Sequence, residues 1–293
     1  MYVDASVVGV RRSPGTRTLI TGAARGIGAA LARRLHAAGH QVALLGLEPE
    51  LLAGVARDCA APWRECDVSD AAAVSTAVAE LVEELGGLDV VVANAGIARQ
   101  WSVLHGDLSV LETTLRVNLL GTVHTLRAAG PHIAHPGGYA LLVSSMAAAI
   151  HLPLLGAYST SKAAVEALGD TLRIELAPTG ARVGVAYFAE LRTEMTSRGF
   201  DTEAARRFFG PRGTLTPTTE LATAIDALDR GIARRTSRIW TPRWAVAVAH
   251  ARMPLQLLLA KVLPSARVQA GVEAATTEDV EFTTPQPAAD RPL

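Results

Sequence analysis

Thr21-Gly22-Ala23-Ala24-Arg25-Gly26-Ile27-Gly28 follows the short apolar run Thr18-Leu19-Ile20 and precedes an Ala- and Leu-rich periodic segment over 26–38. That order reads as a strand, a glycine-rich turn and a helix. Glycine permits the tight turn and lets backbone approach an anionic ligand closely, and the helix N-terminus adds unpaired N–H groups and a positive dipole end. Glycine-rich turns are common in loops. It is the strand before and the helix after that assign Gly22, Arg25, Gly26, Ile27 and Gly28 to phosphate binding.

The same alternation runs outward from this turn. Short apolar runs at 41–45, 63–66, 88–93, 139–143, 182–187 and 238–240 are separated by helical segments at 49–58, 70–85, 110–130, 157–176 and 218–233. Strands apolar on both faces and spaced by helices predict a parallel sheet with helices on both sides. The expected fold is therefore α/β, a Rossmann-like doubly wound sheet in three layers. The chain divides into an N-terminal extension (1–15), one domain (16–241), a helical extension (242–269) and a tail (270–293), acidic then rich in Thr and Pro, that reads as disordered.

Composition excludes several functions. The 28 basic and 28 acidic residues cancel, so nothing points to nucleic acid. Cys59 and Cys66 are too few for a disulfide framework and lack ligand spacing, which fits a reducing cytoplasm and no metal site. No basic leader precedes an apolar stretch at the start. The most apolar stretch, 244–263, is interrupted by His250, Arg252, Pro254 and Lys261, so no integral membrane segment is expected.

Ligands of doubly wound sheets lie beyond the carboxyl ends of the strands. At those ends stand Asp67-Val68, where a carboxylate accepts from an adenine or caps a helix, and Asn94-Ala95-Gly96, where small residues pass a flat ligand or Asn94 ties the sheet ends together. Past the second strand, Gly46 leaves the usual ribose-binding acid position empty. Glu48 in its stead favours NAD, and Arg25 in the glycine turn favours NADP; the balance leans to NAD.

Tyr158 and Lys162 are four residues apart at the start of a helix and so share a face. A neighbouring cation lowers a phenol's pKa, and a Tyr so adjusted is a usable general acid/base. The plain alternative is a packed Tyr and a solvated Lys. Ser145 ends the fifth strand, where a hydroxyl stabilises charge on a substrate oxygen, with Ser144 as competitor. Asn118, polar within an apolar helix, needs partners. It bends the helix and holds a water leading to Lys162, or is satisfied by the preceding turn.

Together these residues resemble the classical short-chain dehydrogenase/reductase family. The likeness covers about residues 16 to 240 and rests on Thr21-Gly22-x-x-x-Gly26-Ile27-Gly28, Asp67-Val68, Asn94-Ala95-Gly96, Asn118, Ser145 and Tyr158-x-x-x-Lys162. It implies an NAD(P)-dependent oxidoreductase with an Asn118–Ser145–Tyr158–Lys162 tetrad. Tyr158 exchanges the proton, Ser145 positions the substrate oxygen, and Lys162 lowers the Tyr pKa and binds the nicotinamide ribose. Leu191 and Thr193 match positions that hold the carboxamide and phosphates. Relatives form dimers or tetramers. The chain departs from the pattern at Ala93 before Asn94, at Ala189-Glu190 in place of Pro-Gly, and in everything after 243.

Substrate-facing positions implied by the likeness are Trp101, Met146, His151, Leu152, Leu154, Leu155, Met195, Phe200, Phe208 and Phe209, an apolar set suited to a hydrophobic or cyclic alcohol or ketone. The 243–263 stretch reads as two helices meeting at Pro254. They close the pocket or pack on another subunit, with peripheral membrane contact a distant third. The competing function is a catalytically silent, cofactor-binding regulatory or scaffold protein, supported by Ala189-Glu190 and opposed by the four intact positions.

Overall fold

The structure, a computed structural model, describes residues 15–193, 195, 202–210, 217–278 and 281–286. Most of the N-terminal extension, and Phe200, lie outside the described residues.

Seven strands form one parallel sheet: β1 (Arg17–Thr21), β2 (Gln41–Gly46), β3 (Trp63–Glu65), β4 (Val90–Ala93), β5 (Tyr139–Val143), β6 (Arg182–Phe188) and β7 (Arg238–Thr241), in the order β3-β2-β1-β4-β5-β6-β7. Side chains alternate along each strand, so Leu19 and Ile20 enter different cores. Ile20, Leu44, Val92 and Leu141 pack on one face with Leu31, Leu35 and Leu228. Leu19, Leu45, Val91 and Leu142 pack on the other with Val74, Leu81 and Val165. Both faces are dry, which is why the strands are apolar without alternation.

The helices are α1 (Gly26–Ala37), α2 (Pro49–Cys59), α3 (Ala71–Leu85), α4 (Leu108–Leu115), α5 (Gly121–Ile133), α6 (Gly156–Leu176), α7 (Glu203–Phe209), α8 (Leu221–Arg234), α9 (Ala245–His250), α10 (Arg252–Val262) and α11 (Ser265–Thr277). Asp70 caps α3 by accepting from the Ala72 and Ala73 N–H groups. Strand order reverses between β1 and β4, so the connections leaving these two strands diverge and open a crevice at their carboxyl ends.

Three expectations need correction. The single helix over 110–130 is two helices joined by a π turn at Arg116–Leu120, where the Gly121 N–H reaches back five residues to Arg116 O. Asn118 sits in that turn and is fully buried. The extension's helices do not meet at Pro254. The break is at Ala251, and Pro254 lies in the first turn of α10, where its missing N–H costs no helical bond. The tail expected to be disordered from 270 is helical through Thr277. Gly271 seats closely on Phe208, and Ala274 is buried with Ala204 and Leu154. Only eight residues long from 270 and carrying two Thr, a Glu and a Gly, this segment gives no strong local helix signal, and its burial against α7 accompanies its order. Farther on, Thr283 is 2 % exposed.

Candidate active site

A cavity of about 430 Å³ runs along the carboxyl ends of the strands, from Gly22 and Glu48 at one end, past Asn94–Gly96, to Ser145, Tyr158 and Lys162. At the first end the glycines do different work. Gly22 has φ +63°, and a Cβ there would stand 2.7 Å from Ala95 Cα. A Cβ on Gly28 would stand 2.2 Å from Gly22 O, so the helix closes on the turn only without a side chain. The N-cap residue of α1, Arg25, makes no side-chain cap bond. The first-turn N–H groups beside Gly26 and Ile27 therefore face the cavity with the helix dipole behind them, a setting for phosphate.

Asn94 holds the strand ends together. Its Nδ2 donates to Thr21 O at 2.9 Å and Gly22 O at 3.2 Å. The Thr21 hydroxyl accepts from the Asn94 and Ala95 N–H groups at 3.1 Å each. Asp67 accepts from the Ser69 N–H at 2.9 Å and lines the cavity with Val68. The helix cap there is Asp70. Glu48, the residue preceding α2, is ion-paired with Arg25, whose Nε donates to Glu48 Oε2 at 2.6 Å.

At the other end, Tyr158 and Lys162 open α6 beneath β5. Lys162 Nζ donates to Val143 O at 2.9 Å and lies 5.7 Å from the centroid of the Tyr158 ring. The Ser144 hydroxyl, at 2.9 Å from Lys162 O, fastens α6 to the strand end, which removes it from competition with Ser145. Ser145 is the serine hydrogen-bonded to Tyr158. Its hydroxyl also accepts from the Ala147 N–H at 3.1 Å, and its contact with Phe188 O is a long 3.5 Å, so its proton is not firmly committed.

Electrostatics differ from the sequence expectation. Burial pushes the Tyr158 phenol above its ordinary value, against the Ser145 hydrogen bond, and the ammonium does not reverse this. Burial also brings the Lys162 ammonium down, to about 8. Both groups are thus held with their charged forms disfavoured, the condition in which a further charge arriving in the cavity shifts them most.

Asn118 reaches neither group with its side chain. Its Oδ1 accepts from the Ile97 N–H at 2.8 Å, and its Nδ2 donates to Ile97 O at 3.0 Å and Ser161 Oγ at 2.9 Å. Its main-chain carbonyl accepts from the Thr122 hydroxyl at 2.7 Å. Gly96 stands between it and Lys162: a Cβ there would be 3.3 Å from both Asn118 Oδ1 and Lys162 Nζ.

Ala189 and Glu190 follow β6. Glu190 lines the cavity, and burial pushes its carboxyl up to about 7. Leu191 is bridged to Thr219, and Thr193 lines the cavity beside it.

Of the expected substrate-facing residues, Met146, Leu152, Leu155, Met195 and Phe209 line the cavity. Trp101 packs instead with Val110 and Ala157, Leu154 with Ala204 and Ala274, and Phe208 against Gly271. His151 pairs through its main chain with Gln256. Their places are taken by residues outside the expected set: Trp244, Val248 and Leu259 of the extension, and Thr283, Thr284 and Gln286 of the tail. The apolar 244–263 stretch signalled the first three. No local pattern signalled the last three.

Residues 16–204 match the short chain dehydrogenase family. The chain is 34 % identical over 208 residues to D-threitol dehydrogenase of Mycolicibacterium smegmatis, covering 69 % of this chain and 77 % of that one. It is 34 % identical over 197 residues to trans-4-hydroxycyclohexanecarboxylate dehydrogenase of Sinomonas cyclohexanicum, covering 62 % and 76 %. Among solved structures, a short chain dehydrogenase from Burkholderia cenocepacia in complex with NADP is similar, with TM-score 0.72, 26 % identity and coverage of 86 % of this chain and 98 % of that one. A glycine-turn crevice, a buried Tyr–Lys pair at its far end and a family match over more than half the chain lead to one conclusion: this protein belongs to the short-chain dehydrogenase/reductase family and is an NAD(P)-dependent oxidoreductase acting on CH–OH groups.

Proposed function

We propose that the protein interconverts a hydrophobic or cyclic secondary alcohol and its ketone, with Tyr158 as general acid/base. The observation that carries this reading is the Ser145–Tyr158 hydrogen bond beside Lys162 in a cavity to which Met146, Leu152, Leu155, Phe209 and Trp244 contribute apolar walls. A nicotinamide cofactor held by these residues would supply the two-electron hydride chemistry and, when oxidised, a positive charge. Ser145 donates to the substrate oxygen, and Tyr158 Oη takes the alcohol proton or returns it to the ketone oxygen. Lys162 holds its ammonium near the Tyr158 ring, favouring phenolate when the alcohol is oxidised, and would hydrogen-bond the ribose of the nicotinamide cofactor. Asn118 fixes the Ile97 backbone and Ser161, and so acts as a positioning residue through the floor of the site.

In this reading Gly22, Gly26, Ile27 and Gly28 take the pyrophosphate, Asp67 and Val68 the adenine, Asn94 to Gly96 the ring plane, and Leu191 and Thr193 the carboxamide end. NAD is the favoured cofactor, because Arg25 is already neutralised by Glu48 and a 2′-phosphate would have to displace that carboxylate. A homodimer or homotetramer in the cytoplasm is the assembly proposed. The test is a panel of cyclic and linear ketones with wild type and Tyr158→Phe. A loss in kcat of about 10²–10⁴ with cofactor affinity kept is expected. Equal turnover by the two proteins refutes the role of Tyr158, and no turnover by either while cofactor binds leaves a silent cofactor binder.

A further inference from the structure

Helices α9 and α10 are apolar on two faces. Inward, Trp244, Val248 and Leu259 form part of the cavity wall. Outward, Met253, Leu257, Leu258 and Val262 are 70, 65, 52 and 58 % exposed. Met253 with Leu257, and Leu258 with Val262, are spaced four apart, so each pair lies on one line and the two lines span the outward half of α10. A helix apolar around its circumference needs cover on both sides, and a face of this kind on a soluble surface marks an interaction site.

Charge decides what covers it. Between Arg230 and Val272 there is no Asp or Glu, although the chain carries 28 acidic residues in all. Arg243, Arg252, Lys261 and Arg267 fall in this stretch; Arg252 is paired with Glu166 of α6 at 3.4 Å, so Arg243, Lys261 and Arg267 are the cations it offers. Lys261 lies within the exposed face itself, where its stem can rest on apolar surface while the ammonium reaches outward. A second copy seated on the same face would set Arg243, Lys261 and Arg267 against the same cations of its partner. A surface with anionic headgroups over an apolar interior meets both features. Trp244, 44 % exposed yet lining the cavity, joins the two faces. No helix among the described residues is long and apolar enough to cross a membrane, so the contact lies in the surface plane.

We propose that the outward face of α9 and α10 seats on an anionic lipid surface, and that the cavity beneath receives an apolar alcohol or ketone dissolved in that bilayer. The second half rests on the oxidoreductase reading above; the first does not.

The test is co-sedimentation of the full-length protein with vesicles of phosphatidylcholine alone or mixed with phosphatidylglycerol, for wild type, the double variant Leu257→Glu/Leu258→Glu and the triple variant Arg243→Gln/Lys261→Gln/Arg267→Gln. Wild type is expected to pellet with the anionic vesicles and to lose binding as salt rises. Each variant is expected to weaken binding by about tenfold or more. Turnover of a water-soluble ketone by the double variant stays at the wild-type level, and turnover of a vesicle-dissolved ketone falls about tenfold. Wild type that ignores anionic vesicles, or a double variant that binds them equally, overturns the proposal. So does a lipid-free dimer that the double variant converts to monomer, which would make the face a contact between copies. Vesicle binding is read without substrate: if it behaves as expected and no ketone is turned over, the membrane contact stands and the catalytic reading fails. Equal loss of soluble and vesicle-borne turnover overturns delivery from the bilayer.

Discussion

Arg25 and Glu48 are bound to each other at the rim of the cavity, Arg25 Nε donating to Glu48 Oε2 at 2.6 Å. Read separately, one residue points to NADP and the other to NAD. Paired, they form a neutralised and partly buried unit with side-chain exposures of 20 and 22 %, so neither charge alone sets the preference. Removing the carboxylate releases the guanidinium toward a 2′-phosphate. Glu48→Gln is therefore expected to shift the ratio of NAD to NADP affinity toward NADP by about tenfold, and Arg25→Ala to shift it the other way. Titrating both cofactors by calorimetry checks this. An unchanged ratio in both variants would move the discriminating contact elsewhere.

The Asn118 side chain makes three hydrogen bonds, its amide shared between both main-chain groups of Ile97 and the Ser161 hydroxyl. All of this is buried. Asn118→Ala leaves several polar atoms unpaired away from water, each costing about 1–3 kcal/mol. The expected outcome is a melting temperature lowered by about 5 °C or more, with kcat reduced as the Gly96 strand end and Lys162 lose their registration. Gly96→Ala is expected to lower kcat with little loss of stability, because its Cβ crowds Lys162 Nζ and Asn118 Oδ1 at 3.3 Å rather than breaking bonds. Thermal melts beside steady-state rates separate the two. A Gly96→Ala enzyme with full kcat would show that Lys162 tolerates displacement.

What the sequence made legible, and what it did not, follows the range of the interactions. The glycine turn, Asp67, Asn94, Ser145 and the Tyr158–Lys162 pair are each short motifs joined to a strand end, and the apolar runs that define those strands are themselves local signals. Residue spacing could not show that Arg25 and Glu48 cancel, because their encounter depends on the β1–β2 register. Nor could it show that burial outweighs Lys162 at the Tyr158 phenol, since desolvation depends on what the whole fold lays over the site. Thr283 lies 185 residues from its hydrogen-bond partner Ala98, and a polar tail segment carries no sign of such a contact.

Glu190 makes a pH prediction. Its carboxyl is raised by burial from an ordinary 4.5 to about 7. Below about 4.5 both folded and unfolded chains carry the proton. As pH climbs from there to about 7 the unfolded chain releases it first, so the fold is progressively penalised. Glu190→Gln escapes the penalty. The variant is expected to melt at the wild-type temperature near pH 4.5 and about 2–4 °C higher near pH 8. A gap that does not widen across that window would mean water reaches the carboxylate freely.

The tail supplies the last prediction. The Thr283 main-chain N–H donates to Ala98 O at 3.2 Å, and the Ala98 N–H donates to Thr283 Oγ1 at 3.1 Å, a two-bond clasp between the tail and the loop leaving β4. Upstream, the Glu278 carboxylate accepts from the Glu203 and Ala204 N–H groups and closes the N-terminus of α7. The clasp places Thr284 and Gln286 in the cavity wall, so it is expected to govern the size of substrate admitted rather than the proposed chemistry at Tyr158. Thr283→Val keeps the shape and removes one acceptor, leaving the Ala98 N–H unpaired at a cost of about 1–3 kcal/mol. A chain ending at Glu278 removes the wall altogether while keeping the α7 cap. Both are expected to raise KM for the best cyclic ketone, the truncation by about tenfold, with kcat changed less than twofold and bulkier ketones newly accepted. If instead kcat collapses and KM holds, the tail acts on the proton-transfer geometry and its role as a size filter is wrong.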